Sequence, residues 1–438
     1  MIKDNRKSDF SPGSEGKGMY DLIRRLFDIC RSITGNGVRT TLRIIRDYIS
    51  GLTIHEMPSG ARCFDWIIPD EWNIRDAYIM DEKGNKIIDF KNNNLHVVGY
   101  SIPVDKKISL EELQEHLFSL PENPDAIPYV TSYYKPFWGF CLTDYQRQKL
   151  TYPHYRVLID SELKPGSLSY ADLIIKGKSD REIFFSTYVC HPSMANNELS
   201  GPALATFLAS WLNTRNNFYT YRFVYAPESI GPLAYLDSRI DLMREKTIAA
   251  FNLTCVGDDR AISFLSSKNG NTLTDRVARH VLKSHFPDYI EYSFFGNRAS
   301  DERQYCSPGV DLPMVSIMRS KYGNYPEYHT SLDNLSVVCP EGLQKSFDIH
   351  KECILSLEAN KTYRTSIIGE PQLVRHDLTE QFGGGRKPDH VRKTYLDILM
   401  YCDGTSDLIS IADTIGLYVI DLLPFVKSLL DNNLIEEV

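Results

Sequence analysis

Two histidines and two acidic residues stand in polar turns that follow apolar runs of the sequence. His191 lies after Val189-Cys190, Glu228 follows Ala226-Pro227, and Asp301 and His329 occupy later turns of the same kind. Two imidazoles with nearby carboxylates are the groups that a zinc hydrolase needs. Imidazole nitrogens hold the ion, and a free carboxylate takes a proton from the attacking water.

Each candidate also has an ordinary structural explanation. A histidine after a strand is more often a hydrogen-bonded loop residue than a metal ligand. Asn197 and Glu198 could open a helix as a cap and a dipole-favoured carboxylate. Glu228 could be solvated, and Asp301 could cap a short helix. The joint occurrence of these residues, in one order along the chain, favours the chemical interpretation.

Strands alternating with helices must position these side chains. Residues 183–189, 221–225 and 247–253 are continuous apolar runs, and residues 202–212 form an apolar helical run. This alternation is typical of an α/β fold, with a mixed, mostly parallel sheet and helices on both faces. Reactive groups in such sheets lie beyond the carboxyl ends of the strands, which is where the candidates fall.

The pattern changes along the chain and predicts three domains. Residues 18–53 and 155–365 form the α/β domain, and residues 54–154, with short alternating runs, form an inserted strand-rich domain. A linker is predicted around Gly383-Gly384-Gly385. Residues 385–438 then form a small winged-helix-like domain of three short helices and a terminal strand.

Composition excludes several classes of protein. The 438 residues carry 49 Lys and Arg against 57 Asp and Glu, a net charge of −8, which disfavours a polyanionic partner. Nine cysteines contain no CxxC pair, which predicts neither a disulfide framework nor a structural zinc knuckle. No apolar stretch approaches the length of a membrane span. We therefore expect a soluble cytoplasmic protein that binds neither nucleic acid nor membrane.

Five short motifs occur in a fixed order along the chain: His191, Asn197-Glu198-Leu199-Ser200-Gly201, Glu228-Ser229-Ile230-Gly231, Ser300-Asp301, and Tyr328-His329-Thr330 with Asp333. This ordered set resembles the motifs of the co-catalytic zinc aminopeptidase superfamily. The likeness is greatest to bacterial aminopeptidase-like proteins that carry an inserted domain and a C-terminal winged helix. The resemblance implies a cytoplasmic protein, in a family sometimes associated with surface-polysaccharide synthesis.

The resemblance implies a role for each matching position. His191 and His329 would be zinc ligands. Glu228 would be the general base that takes a proton from water and delivers it to the leaving amine. Asp301 would be a carboxylate that orients its neighbours in the active centre.

Three positions depart from the superfamily pattern. Asn197 stands where the pattern has a bridging Asp, Ser229 replaces the second residue of a Glu-Glu pair, and Thr254 replaces a further Asp. Because two zinc ions need several anionic oxygens, a binuclear centre is not expected. One zinc held by His191, His329 and an oxygen of Glu198 or Asn197 is the expected cofactor. The alternative is a site that has lost both metal and catalysis.

Two further segments bear on partners. The last 48 residues contain only three basic residues, Arg392, Lys393 and Lys427, against eight acidic ones, which disfavours DNA binding. A protein partner or a homo-oligomer through this domain is expected instead. In the insert, an aromatic cluster at residues 133–140 is expected to pack at an interface or to line a substrate cleft.

The sequence therefore predicts a zinc-dependent, aminopeptidase-like hydrolase that cleaves an amide bond of a small peptide or aminoacylated metabolite. A non-catalytic binding or scaffold protein with a degenerate site is the alternative. A transcriptional regulator is a third interpretation, which the acidic C-terminal segment disfavours.

Overall fold

The computed structural model describes residues 14–379 and 390–438. The linker predicted at Gly383-Gly384-Gly385 lies outside these residues. The helices in the described part are α1 (Ser14–Leu26), α2 (Asn36–Tyr48), α3 (Leu110–Gln114), α4 (Asp144–Gln148), α5 (Ser200–Leu212), α6 (Ile230–Asp237), α7 (Ile240–Lys246), α8 (Leu273–His285), α9 (Glu302–Tyr305), α10 (Pro340–Ala359), α11 (His390–Tyr401), α12 (Leu408–Ile415) and α13 (Val419–Asp431).

Strands of the same part form five sheets of two to eight strands. They are β1 (Thr53–Pro58), β2 (Arg62–Cys63), β3 (Trp66–Ile67), β4 (Glu71–Met80), β5 (Lys86–Asp89), β6 (Val104–Ser109), β7 (Leu117–Phe118), β8 (Phe140–Cys141), β9 (His154–Lys164), β10 (Ser167–Ile175), β11 (Glu182–Tyr188), β12 (Thr220–Ala226), β13 (Thr247–Asn252), β14 (Ser263–Leu265), β15 (Ile290–Tyr292), β16 (Met314–Met318), β17 (Thr362–Thr365), β18 (Asp403–Asp407) and β19 (Ile435–Glu437).

The largest sheet has eight strands in the order β1-β10-β12-β11-β13-β16-β14-β15. The four central strands, β12, β11, β13 and β16, run parallel, whereas β10 and β14 pair antiparallel with their inner neighbours. Every residue of β11, β12 and β16 is buried, as expected when helices cover both faces of a sheet. The predicted α/β class is confirmed.

Aromatic packing fixes the middle of this sheet. The ring of Phe185 on β11 stacks on Phe223 of β12 at 4.9 Å and on Phe251 of β13 at 5.2 Å. Large apolar rings on neighbouring strands bury much surface and hold the strands in register. The carboxyl ends of β11, β12 and β13 therefore meet at one edge, and His191 and Glu228 directly follow β11 and β12 there.

A four-stranded antiparallel sheet, β5-β4-β9-β6, forms most of the predicted insert. Its core contains Ile79, Val157 and Phe140. The first strand of the region, β1, pairs instead with β10 of the large sheet, and β9 pairs with β4. The domain boundaries at residues 54 and 154 stay predictions.

The chain divides into two compact units. One contains the described residues up to Thr274 together with Tyr289–Asp348, and the other contains Asp275–Asp288 and the described residues from Ile349 onwards. The second unit has helices α11 to α13 and the three-stranded sheet β18-β17-β19. Its β18 strand is an addition to the three helices and terminal strand expected from the sequence.

None of the described helices alone has the length and apolar composition of a membrane span. The helices α12 and α13 meet those criteria only when joined, and they are bent by 111° at the break between them.

Candidate active site

His191 follows β11 and lies buried beyond its carboxyl end. Its Nδ1 is 2.6 Å from Oε2 of Glu198, and its backbone oxygen accepts a hydrogen bond from Nε of Arg31 at 3.0 Å. A carboxylate on one ring nitrogen fixes the orientation of an imidazole, as is typical of metal-binding histidines. The other nitrogen, Nε2, lies 3.6 Å from Oε2 of Glu228.

Glu198 lies in a π-helical turn, Ala195–Leu199, that leads into α5. Its fully buried carboxylate stands between His191 and the fully buried guanidinium of Arg31, with Arg31 Nε 3.7 Å from Glu198 Oε1. Nη1 of Arg31 donates to the Leu26 carbonyl at 2.7 Å. Burial lowers the pKa of His191, but Cys190 and Glu198 raise it by more, so this pKa lies well above its ordinary value.

Asn197 replaces a carboxylate with a neutral hydrogen-bonded group. Its Nδ2 donates to the Tyr188 hydroxyl at 2.7 Å, and its backbone oxygen accepts from Thr254 Oγ1 at 3.1 Å. The hydroxyls of Tyr188 and Thr254 are 2.5 Å apart. Asn197 Oδ1 is buried and has no hydrogen-bond partner. This oxygen is therefore available to bind a metal ion.

Glu228 follows β12, and its backbone N–H donates to Cys190 Sγ at 3.3 Å. The carboxylate is 21% exposed, whereas the side chain of His191 is only 4% exposed. Burial raises its pKa, while His191 and Arg303 act in the opposite direction. A carboxyl with a raised pKa at a cavity wall is suited to exchange protons with a substrate or with water.

Asp301 holds the turn that carries Glu228 through a hydrogen bond with the next residue, Ser229. Ser229 has φ of 66°, a conformation that costs a non-glycine residue free energy, and its N–H donates to Asp301 Oδ1 at 2.7 Å. Asp301 precedes α9 but makes no side-chain cap bond, so the alternative of an ordinary helix cap is wrong. Burial and the nearby Glu228 raise the pKa of Asp301, whose Oδ2 is buried without a partner.

His329 lies opposite His191 across the site. The two ring centroids are 5.4 Å apart, and the ring of Tyr328 stacks on His329 at 3.9 Å. Burial, together with His191, lowers the pKa of His329 to about 3. A neutral imidazole is the form that binds a metal.

Tyr129, from the predicted insert, is a site residue that the sequence reasoning missed. Its N–H donates to the His329 carbonyl at 2.9 Å, and its ring lies 5.0 Å from His191 and 5.4 Å from His329. Its hydroxyl is 3.0 Å from that of Tyr133. The sequence signal that could have identified Tyr129 was the neighbouring aromatic cluster at residues 133–140.

These residues enclose a cavity of about 480 Å³. Aromatic side chains from the 54–154 segment form one wall, as the cleft-lining interpretation of the aromatic cluster predicts for Tyr133 and Tyr134. The lining residues are Ile33, Trp66, Tyr129, Thr131, Tyr133, Tyr134, Cys190, His191, Glu228, Ser229, Ile230, Arg303 and His329.

Two groups of donors in the described residues could hold a metal. Cys190, His191 and Glu198 place a sulfur, a nitrogen and an oxygen within 4.8 Å of one another. The imidazoles of His191 and His329, with ring centroids 5.4 Å apart, form the second group, and Asn197 Oδ1 is an unpartnered buried oxygen in the turn that carries Glu198. Zinc prefers nitrogen, sulfur and carboxylate ligands, which the first group supplies in full and the second group supplies as two imidazole nitrogens. The ligand roles assigned to individual residues stay predictions.

Residues 20–360 match the family described as Domain of unknown function (DUF4910), and residues 361–437 match a winged helix-turn-helix family. A Clostridium acetobutylicum protein named "Putative polysaccharide biosynthesis protein with aminopeptidase-like domain" is 44% identical over 403 residues, 92% of each chain.

Solved structures show the same relationship. A "putative peptidase" from Clostridium acetobutylicum is 42% identical with a TM-score of 0.90, covering 97% of this chain and 96% of that one. A zinc aminopeptidase from Bacillus subtilis has a TM-score of 0.59 at 12% identity, with 79% and 96% covered, which shows a shared fold. The resemblance stated from the motifs is confirmed: the chain belongs to the DUF4910 family, with an aminopeptidase-like fold and a C-terminal winged helix.

Proposed function

We propose that this protein is a zinc-dependent, aminopeptidase-like hydrolase that cleaves an amide bond of a small peptide or aminoacylated metabolite. The observation that carries the proposal is the geometry at His191. Glu198 orients one ring nitrogen at 2.6 Å, and the other nitrogen lies 3.6 Å from the Glu228 carboxylate at a cavity wall. The aminopeptidase-like fold and the names of the Clostridium relatives support the same class of reaction.

The donor chemistry fits one zinc ion. His191 and His329 would hold it with an oxygen of Asn197 or Glu198. We favour Asn197 Oδ1, because it is buried without a partner whereas Glu198 already binds Nδ1 of His191 and lies beside Arg31. A second ion does not fit, since Asn197, Ser229 and Thr254 supply no carboxylate. The bound ion would supply a Lewis acid for the amide carbonyl and for water.

The chain's own residues carry the proton. Glu228 takes a proton from water and delivers it to the leaving nitrogen, for which its raised pKa and its position at the cavity are suited. Asp301 holds the N–H of Ser229 and thereby fixes the turn that carries Glu228. Arg31 balances the charge of the Glu198 carboxylate, which orients the ring of His191 through Nδ1.

Replacement of Glu228 tests the proposal. For Glu228→Gln we expect turnover of a cleaved dipeptide to fall by about 10² to 10⁴, because general acid–base catalysis contributes that much. Zinc content, measured by mass spectrometry of the purified protein, and melting temperature should stay unchanged. Glu245→Gln, at an exposed glutamate on α7, is the matched control.

Metal analysis gives the second part of the test. The wild-type protein should bind one zinc per chain, and His191→Ala and His329→Ala should each abolish this binding. Absence of zinc in the purified protein, with no uptake on titration, would refute the proposal.

A non-catalytic scaffold is the second candidate function. The neutral residues Asn197, Ser229 and Thr254, at three positions where the superfamily pattern has carboxylates, favour it. A scaffold binds no zinc and loses no activity in Glu228→Gln, so the experiments above separate the two.

The name of the Clostridium relative extends the proposal to a role in polysaccharide biosynthesis. For the winged helix, the excess of acidic residues supports a protein partner or a second copy of the chain rather than DNA. Light scattering and a salt series of DNA-binding measurements test this assignment.

A further inference from the structure

Arg303 brings an unpaired positive charge to the cavity. Its guanidinium lines the same space as His191 and Glu228, and its Nη2 donates to Ser229 Oγ. No carboxylate among residues 14–379 and 390–438 forms an ion pair with it. Arg222 of the same unit, by contrast, binds Glu182 at 2.6 and 2.7 Å. Arg303 therefore has donors left for a ligand.

Two hydrogen bonds connect Arg303 and its neighbour Asp301 on one side with Ser229, in the turn after β12, on the other. Asp301, two residues earlier, fixes the Ser229 N–H, and the Ser229 hydroxyl in turn contacts Arg303. Ser229 occupies the position at which the superfamily pattern has a second glutamate. A glutamate there would bring a negative charge to the guanidinium, whereas the Ser229 hydroxyl only accepts one hydrogen bond from it.

The cavity offers little to a substrate amine. Glu228 is the only carboxylate among the described lining residues, and it carries the proton in the proposed mechanism. A substrate ammonium would therefore compete with the catalytic role of Glu228 and would be repelled by Arg303. A substrate carboxylate meets the opposite situation, because the planar guanidinium matches it in charge and in geometry.

We propose that Arg303 binds a carboxylate of the substrate, so that the preferred substrates are N-acylated amino acids with a free carboxylate beside the scissile amide. The aromatic wall of Trp66, Tyr133 and Tyr134 favours an apolar side chain on the substrate. The assignment of the amide rests on the proposed function, whereas carboxylate binding does not. Hydrolysis breaks the C–N bond, adds the hydroxyl of water to the carbonyl carbon, and gives its proton to nitrogen through Glu228.

Calorimetric titration of the full chain with three probes tests the carboxylate. The probes are N-acetyl-phenylalanine, its carboxamide, and phenylalanine amide, which has a free amine and no carboxylate. We expect the acid to bind about tenfold or more tightly than either amide, because a charge-assisted hydrogen bond pair is lost in each. Raising the salt concentration should reduce this preference.

Substitution of Arg303 tests the residue. Arg303→Gln should remove the preference for the acid, and Arg303→Lys should retain part of it. Arg298→Gln is the matched control, since Arg298 is exposed and lies over the Phe294 ring, at 5.4 Å, rather than lining the cavity. Melting curves of each variant verify that it folds.

The outcomes separate this inference from the proposed function. Preference for an amide, equal binding of the three probes, a preference that persists in Arg303→Gln, or no binding of the acid at millimolar concentration would overturn the inference. Turnover of the same probes is measured in parallel. Carboxylate-dependent binding without turnover would support Arg303 as a carboxylate site and contradict the hydrolase. Turnover that does not depend on the carboxylate would support the hydrolase and contradict the role of Arg303.

Discussion

Arg31 and Glu198 form a buried charge pair whose strength is measurable by a double-mutant cycle. Their side chains have no exposed surface, and Nε and Oε1 are 3.7 Å apart. Two unit charges at that distance interact by about 4.5 kcal/mol at an effective dielectric constant of about 20. Removal of one partner leaves the other charge buried and uncompensated, which costs about 3 to 5 kcal/mol.

We therefore expect Arg31→Met and Glu198→Gln each to lower the free energy of unfolding by about 3 to 5 kcal/mol. The double variant should lose about as much as one single variant, because it removes both charges of the pair. The contact of Glu198 with His191 is absent from both variants that lack Glu198, so it cancels in the cycle. The hydrogen bonds that Arg31 donates to Leu26 and His191 are absent from both variants that lack Arg31, so they cancel in the cycle. Equilibrium denaturation in guanidinium chloride, followed by fluorescence, measures each value.

A loss in the double variant equal to the sum of the single losses within about 0.5 kcal/mol, the usual limit for independent sites, would show that the two charges are not coupled. A single variant that does not fold, beside a double variant that does, would show the same coupling by solubility alone.

Two further predictions concern stability. Asp407 caps α12 and accepts hydrogen bonds from Arg276. Burial raises its pKa, but hydrogen bonds from Arg276, Ser410 and Asn360 together lower it by more, so the pKa lies below its ordinary value. Asp407→Asn should cost about 1 to 3 kcal/mol at neutral pH. The wild-type advantage should be complete above about pH 4 and lost as pH falls through the lowered pKa; a constant difference in acid denaturation would contradict this. Gly201→Ala should cost about 1 to 3 kcal/mol, because a Cβ would lie 2.1 Å from the Leu253 carbonyl, and an unchanged melting temperature would contradict it.

The central sheet could be predicted because its residues are apolar in continuous runs. Strands β11, β12 and β13 match the predicted runs within a few residues. The placement of candidates after these strands followed from the topology of parallel sheets. The proximity of His191 to Glu228 could therefore be predicted from the sequence.

The surroundings of His191 could not be predicted in the same way. Arg31 lies 160 residues earlier in the chain, and its burial depends on how the segment after α1 packs. Tyr129 lies in the 54–154 segment, and its backbone N–H donates to the carbonyl of His329, 200 residues later in the chain. Neither contact follows from local periodicity, because both join segments that are far apart in sequence.

The neutral residues Asn197, Ser229 and Thr254 differ from what loss of function alone would leave in a two-metal site. A superfamily member that lost its second ion but kept the carboxylates would bury uncompensated negative charge, at a cost of several kcal/mol. Here Asn197 and Thr254 are neutral, buried and joined by hydrogen bonds through Tyr188. A well-packed apolar pair could replace the buried charges of Arg31 and Glu198 at no loss of stability, so their presence is not explained by packing. Glu198 orients the ring of His191, as carboxylates do for metal-binding histidines, and this role supports the proposed one-zinc site rather than the scaffold.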